Sequence, residues 1–307
     1  MLEAAASTGA WRAGGRAPVR GAVNRLARRF REAGLATPEL DARLIVLDAC
    51  GLSQEAYILD PERAVGLAET VAIEARAARR LAREPVSRIL GRRAFWGHEF
   101  SIGPAVLDPR PETEMLVEAA LEILSQEGRL SGPLRIIDFG TGSGCILLSL
   151  LAELPEAWGV GTDIDPAALR IAAENARQLS LTSRSAFICA DWSAGISGEF
   201  DVILANPPYI SGDELNLLDP EVRRHDPARA LDGGFDGFEA YRRIARSCLS
   251  AAKPGSWIVL EAGMGQANEI TEIFARAGWG GGDGDSRLFS DLCGINRVVA
   301  IKRQAGP

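Results

Sequence analysis

Between residues 22 and 82 apolar side chains recur at three- and four-residue steps: Leu26, Phe30 and Leu35, then Leu40, Leu44 and Leu47, with charged residues between them. That spacing lines apolar groups along one face of each of several helices. Thr37-Pro38 supplies a start signal, an N-cap residue followed by proline at the first helical position. A second helical stretch is expected over 61–83, giving a small domain of about four helices. Near Pro85 the period changes. Residues 89–107, with Phe95, Trp96, Phe100 and interspersed glycines, alternate weakly and predict a β-hairpin or extended linker.

From Pro111 onward apolar runs of strand length alternate with helical stretches. Residues 134–139, 158–163, 186–190, 200–205 and 257–261 read as buried strands, and 144–154, 166–179, 238–252 and 266–277 as helices. The alternation predicts an α/β fold: a doubly wound, mostly parallel sheet with helices on both faces. Residues 287–292 and 297–301 are expected to add an antiparallel hairpin at its end, and 280–284 a glycine-rich loop. The expected division is a flexible segment over 1–18, the helical domain over 19–92, a hairpin linker over 93–110 and the α/β domain over 111–303.

With 307 residues, 47% of them apolar, the chain has material for one large core and one small one. No apolar run approaches the roughly 18 residues of a membrane helix, so no membrane partner is expected. The net charge of −7 disfavours a protein that holds nucleic acid through its phosphates. Cys50, Cys145, Cys189, Cys248 and Cys293 are scattered and form no C-x-x-C pair. A disulfide framework or metal site is not expected, and a reducing cytoplasm is the natural compartment. The Ala-, Gly- and Arg-rich first eighteen residues lack a signal core and read as a flexible bacterial N-terminus, with an organellar transit peptide as the alternative.

The first α/β strand runs into Asp138-Phe139-Gly140-Thr141-Gly142-Ser143-Gly144, then a helix. Alternate glycines let the backbone turn sharply and approach a ligand, and the helix N-terminus behind them should offer free N–H groups. The spacing is not the G-x-G-x-x-G of dinucleotide loops. Asp163 closes the second strand, where an acid accepts hydrogen bonds from ribose hydroxyls. Asp191-Trp192 follows the third, placed to bind and cover a purine. This order resembles the class I S-adenosylmethionine-dependent methyltransferases, which implies S-adenosylmethionine as cofactor.

The fourth strand empties into Asn206-Pro207-Pro208-Tyr209. Successive prolines stiffen the turn and remove donors. The Asn206 side-chain oxygen and the Pro207 carbonyl are then candidates to accept the two N–H groups of a substrate NH2, with Tyr209 packed on its plane. Such a site suits an amide or exocyclic amine, whose weakly nucleophilic nitrogen needs alignment more than a base. The loop alone is shared by methyltransferases of DNA adenine, RNA guanine and protein glutamine.

Further segments narrow the choice. Gly91-Arg92-Arg93-Ala94-Phe95-Trp96-Gly97 and Pro109-Arg110-Pro111-Glu112-Thr113-Glu114 resemble the protein-(glutamine-N5) methyltransferases of the HemK/PrmC family. So do Asp226-Pro227, Ala230-Leu231-Asp232-Gly233-Gly234 with Asp236-Gly237, and Asp291-Leu292 with Arg297-Val298-Val299. The likeness runs from about Ala22 to Arg303 and departs at His225 and in the longer N-terminus. It implies methylation of the glutamine in the Gly-Gly-Gln motif of class I peptide chain release factors, by a monomer whose helical domain docks the substrate. A relative acting on a ribosomal protein is the nearest alternative. Carried over, Gly140, Thr141, Gly142, Ser143, Gly144, Asp163, Trp192 and Asn206 would bind the cofactor. Asn206, Pro207, Pro208 and Tyr209 would hold the glutamine, with Asn206, Pro207 and Tyr209 catalytic. The loop over Gly233, Gly234 and Gly237 either only shapes a turn or lines the substrate pocket, the latter favoured because it follows the Asn-Pro-Pro-Tyr strand end.

Overall fold

A computed structural model describes residues 17–280, 282 and 284–304. The reading of residues 1–16 as flexible, and part of the 280–284 loop, lies outside the described residues. Contacts divide the chain into two units between Leu90 and Gly91.

The first unit is helical: α1 Val19–Glu32, α2 Pro38–Cys50, α3 Gln54–Leu59, α4 Leu67–Leu81 and α5 Val86–Leu90. Phe30, Ala42, Ile45, Ile73 and Ala77 form its core. Leu40 and Leu44, expected in the buried stripe, are exposed, because α2 turns Ala42, Ile45 and Val46 inward instead. Pro38 does open α2, but the Thr37 hydroxyl donates to Asp41 Oδ1 (2.8 Å) and caps no backbone N–H. The second helical stretch begins later than expected. Pro61 interrupts it, and Gly66 N–H donates to Glu69 (2.7 Å), which sets the start of α4 at Leu67. Ala17 and Pro18, grouped with the flexible segment, are held: Val65 N–H donates to the Ala17 carbonyl (2.9 Å), and Pro18 bridges Ala64.

The second unit opens with a hairpin, β1 Arg92–Phe95 and β2 His98–Ser101, turned at Trp96-Gly97 with both residues at positive φ. Pairing stops at Ser101 and does not reach Leu107. Then follow α6 Glu114–Gln126, β3 Arg135–Phe139, α7 Cys145–Glu153, β4 Trp158–Asp163, α8 Pro166–Gln178, β5 Ser185–Cys189, β6 Phe200–Ala205 and α9 Pro220–His225. The chain ends with α10 Glu239–Ser247, β7 Ala252–Glu261, α11 Ala267–Arg276, β8 Ser286–Ser290 and β9 Asn296–Lys302. Helix α10 is shorter than expected and β7 longer, since Lys253-Pro254-Gly255 cannot continue a helix.

The seven strands lie in the order β5-β4-β3-β6-β7-β9-β8. The first five are parallel, and β9 and β8 are antiparallel. Alternation along each strand separates two cores. Ile136, Val202, Leu204 and Val259 face α6 and α7, while Ile137, Ile203, Ala205 and Leu260 face α10 and α11. This is the doubly wound sheet with terminal hairpin that the periodicity predicts. Strand order reverses between β3 and β6, and a crevice at such a switch, outside the carboxyl ends, is where these sheets bind ligands. Among the described residues no helix is long and apolar enough to cross a membrane.

Candidate functional site

Phe139 pairs with Ala205 across β3 and β6, so the glycine loop and the Asn-Pro-Pro-Tyr loop leave the sheet side by side. Gly140, Gly142 and Gly144 all take positive φ. At Gly144 a Cβ would also stand 3.1 Å from Leu148 Cδ1 and 3.2 Å from Ala172 Cβ, so no larger residue fits the start of α7 there.

Within the glycine loop itself, three N–H groups hold the turn. Thr141 N–H donates to the Thr162 carbonyl (2.8 Å), Gly142 N–H to Asp163 Oδ2 (3.0 Å) and Gly144 N–H to the Thr141 carbonyl (2.8 Å). These three donors are spent on holding the turn. Beneath it the Thr141 hydroxyl donates to the buried Asp138 (2.6 Å), whose burial pushes its carboxyl up to about 7 despite that bond. Asp163 Oδ1 accepts from Asp165 N–H (2.9 Å), and burial raises its proton affinity as well. Each Asp163 oxygen keeps a further lone pair for a ligand.

Gly140, Thr141, Gly142, Ser143 and Asp163 line a cavity of about 420 Å³, within the usual range of small-molecule sites; Gly144, packed against Leu148 and Ala172, does not border it. Asp163, Asp191, Asp232 and Glu239 face it, against Arg229 and Arg243. Arg229 pairs with Asp165 (3.5 Å) and Arg243 with Asp191. Asp191 is therefore ion-paired at the rim. Trp192, at a φ of 54°, lays its ring beside Gly140, and its buried Nε1–H has no protein partner. An acidic, glycine-floored cavity fits a cationic nucleoside better than a phosphorylated one.

A second cavity of about 280 Å³ adjoins the first, and Leu107, Asn206 and Ala230 line both. Arg110, Glu112, Tyr209, Glu261 and Arg297 give it a strongly polar wall. Asn206 Nδ2 donates to Thr113 Oγ1 (3.3 Å), which turns its side-chain oxygen the other way. Pro208 borders the larger cavity and Tyr209 the smaller. Pro207 is buried and borders neither, because it anchors the turn against the core. Tyr209 Oη donates to Glu261 Oε1 (3.4 Å), and burial next to that carboxylate raises its phenol well above the ordinary value.

The loop after α9 is stitched directly to this turn. Gly233 N–H donates to the Ile210 carbonyl (2.8 Å) and Ile210 N–H to the Leu231 carbonyl (3.1 Å). A Cβ on Gly233 would lie 2.9 Å from the Tyr209 backbone, so the close approach demands glycine. Ala230 and Leu231 border the smaller cavity and Asp232 and Gly234 the larger, while Gly233 and Gly237 border neither and shape the turn.

A release factor glutamine methyltransferase of Rhodospirillum rubrum is 46% identical over 286 residues, covering 93% of this chain and 85% of its own. The chain belongs to the release factor glutamine methyltransferase family. The enzyme of that name from Bradyrhizobium diazoefficiens is 45% identical over 278 residues, 91% of this chain and 92% of its own. Residues 21–91 match the PrmC N-terminal domain and residues 113–218 the methyltransferase small domain. Among solved structures, the catalytic domain of hMettl16 in complex with the MAT2A 3'UTR hairpin 6 superposes with a TM-score of 0.52 at 17% identity. That alignment covers 74% of this chain and 81% of the other, and supports the fold.

Relative to other methyltransferase sites, the residues that sequence reading left without a role here are Thr113, Glu261 and Gln266. Gln266 Nε2 donates to the Tyr209 carbonyl (3.0 Å), and its Oε1 accepts from Gly263 N–H (3.1 Å), which ties the substrate loop to the end of β7. Thr113 was visible only as part of Pro109–Glu114, and Glu261 only as a strand end.

Proposed function

We propose that this methyltransferase transfers a methyl group from S-adenosylmethionine to the side-chain nitrogen N5 of the glutamine in the Gly-Gly-Gln loop of a class I release factor. The observation that carries the reading is the place of Asn206 in the wall shared by the two cavities. A nucleophile in the smaller cavity and a methyl donor in the larger would meet beside it.

The residues of the larger cavity fit the donor. Gly140, Thr141, Gly142 and Ser143 floor the cavity, with Gly144 setting the start of α7 behind them, Asp163 would take the ribose hydroxyls, and Trp192 would cover the base. Bound there, S-adenosylmethionine supplies an electrophilic methyl on a cationic sulfur. Asn206 Oδ1 accepts one N–H of the glutamine and aims the nitrogen lone pair at that methyl, so alignment lowers the barrier. Tyr209, held as a phenol by its burial with its O–H on Glu261, flanks the amide as a packing surface. Pro207 and Pro208 stiffen the turn. As the N–C bond forms, the methyl–sulfur bond breaks with its electron pair left on sulfur, and the nitrogen sheds one proton to water.

We propose further that the helical unit docks the release factor and that the chain acts as a monomer; the residues bordering both cavities all come from the second unit. Its unpaired cysteines fit the reducing cytoplasm. The test compares wild type with Asn206→Ala for label transfer from S-adenosylmethionine to a release factor. Turnover should fall by about 10²–10³ with the fold intact, the range for losing one preorganised polar contact. Unchanged turnover removes Asn206 from the chemistry.

A further inference from the structure

A Gly-Gly-Gln loop brings only one side chain to the methyltransferase unit. Its glycines carry none, and its glutamine enters a cavity of about 280 Å³. A specific protein complex buries roughly 800 Å² on each partner, so most of the recognition of a whole release factor lies outside that cavity. The surface around it has a distinct composition. Among the described residues of the second unit, four large apolar side chains stand far more exposed than the others. They are Leu217, Phe235, Met264 and Leu292, at 73–108% against 56% for the next, Ile164. Single exposed apolar groups are ordinary on a protein surface, but these four are not scattered.

Each sits on a segment fastened to the smaller cavity. Leu217 precedes α9, whose Val222 lines that cavity, and Arg223 Nη1 donates to the neighbouring Asn216 carbonyl (3.4 Å). Phe235 follows the lining residue Leu231, and Gly212 N–H donates to the Gly234 carbonyl (3.1 Å), so the segments that bear Leu217 and Phe235 run together. Met264 follows Glu261 in a turn that Gln266 Nε2 bonds to the Tyr209 carbonyl (3.0 Å). Leu292 lies in the turn opened by Asp291, which accepts from Nε of the lining residue Arg297 (2.9 Å). Phe235 is the most firmly presented. Asp232 Oδ1 accepts from Gly234 N–H (2.9 Å) and Asp236 Oδ1 from Phe238 N–H (3.1 Å), while a Cβ on Gly237 would stand 2.6 Å from the Tyr209 carbonyl oxygen. An aromatic ring offered on an already ordered loop loses little freedom on binding, as interface anchors do.

We propose that Leu217, Phe235, Met264 and Leu292 form an apolar rim that seats the release-factor surface flanking the Gly-Gly-Gln loop, with Phe235 as its anchor. This rests on the substrate reading above and adds to it a docking surface on the methyltransferase unit itself. The occupant follows from continuity with the substrate cavity: a protein whose glutamine reaches Asn206 lays its flanking surface on the segments that border that cavity. The rim has no part in aligning the nitrogen, since none of its four residues borders either cavity. Its contacts are the same before and during methyl transfer, so they act on KM and leave kcat alone.

The experiment is steady-state methylation of a whole release factor by the full chain. Phe235→Ala should raise KM for the release factor by about tenfold to thirtyfold, the loss expected for one interface anchor. Its kcat should stay within about twofold and its affinity for S-adenosylmethionine should not change. Phe235→Leu should recover most of the loss, and Leu217→Ala and Met264→Ala should raise KM in the same direction. Leu130→Ala, an exposed apolar position before β3 at the opposite end of the sheet, should not. Sedimentation of the same variants follows their oligomeric state. A KM that stays at the wild-type value in Phe235→Ala, or a fall in kcat without a rise in KM, overturns the rim while the substrate assignment stands. A dimer that Phe235→Ala dissociates gives the face to a second copy of the chain and overturns it too. A release factor left unmethylated by wild type removes the substrate assignment and the rim's occupant together.

Discussion

Phe139 and Ala205 face each other across parallel strands β3 and β6, and the residues that follow them, Gly140 and Asn206, therefore emerge at one edge of the sheet. Sixty-six positions of chain separate the two loops, yet strand register alone brings the cofactor turn and the substrate turn to a shared wall. The consequence for Asp163 is direct, because β4 lies on the other side of β3 and delivers its terminal carboxylate to the same turn.

Asp163→Asn should weaken S-adenosylmethionine binding by about tenfold to a hundredfold, the equivalent of one charged hydrogen bond at roughly 1.5–3 kcal/mol. The asparagine can still accept from one of the two backbone N–H groups, so the loop should largely hold. Calorimetry checks this, and an unchanged Kd in a folded variant would take Asp163 out of the site.

Asp138 predicts a pH dependence of stability. Folded, its carboxyl stays protonated up to about 7, against 3.8 for an ordinary aspartate. Between those values the unfolded chain binds fewer protons than the folded one, so stability falls as pH rises from about 4 to about 7. Asp138→Asn keeps an acceptor for the Thr141 hydroxyl and removes the titration. Its urea midpoint should drop less than that of wild type between pH 5 and 8, with Glu261, whose carboxyl burial also pushes up to about 7, supplying the remaining slope. Parallel curves for the two proteins would contradict the assignment.

In the helical unit, Asp41 and Arg80 form an ion pair at 2.7 Å with both side chains about 7% exposed. Asp41→Ala should cost about 3 kcal/mol, the lower end for breaking a buried pair. The cost is moderated because Arg80 Nη1 also donates to the Glu84 carbonyl (3.3 Å). Denaturant titration reads the loss. A change within about 0.5 kcal/mol, typical of surface positions, would mean the pair is not a structural tie between α2 and α4.

Much of the fold was legible because its strands are short apolar runs bounded by polar residues. The runs 158–163 and 200–205 coincide with β4 and β6, and the glycine loop and Asn-Pro-Pro-Tyr turn sit at strand ends as their spacing required. Leu40 and Leu44 misled, since α2 carries apolar residues on more than one face and periodicity cannot choose among them. That Gly142 gives its N–H to Asp163, 21 residues away, depends on tertiary register. The partners of Asn206 were out of reach for the same reason. Thr113 lies 93 residues before it, and Glu261 is brought beside it only by the pairing of β6 with β7.

The central claim is that Asn206 grips a glutamine amide of a release factor at the junction of the two cavities. The most direct measurement supplies labelled S-adenosylmethionine with a release factor, its Gly-Gly-Gln→Gly-Gly-Glu variant, a ribosomal-protein substrate and duplex DNA in parallel, and locates the methyl group by mass spectrometry. The account predicts one methyl on the glutamine of the Gly-Gly-Gln loop. The glutamate variant should be discriminated against by roughly 10⁴ or more, because the Asn206 oxygen would then face another oxygen with no hydrogen between them. Preferential methylation of the ribosomal protein or the DNA, or comparable label on the glutamate variant, would contradict it.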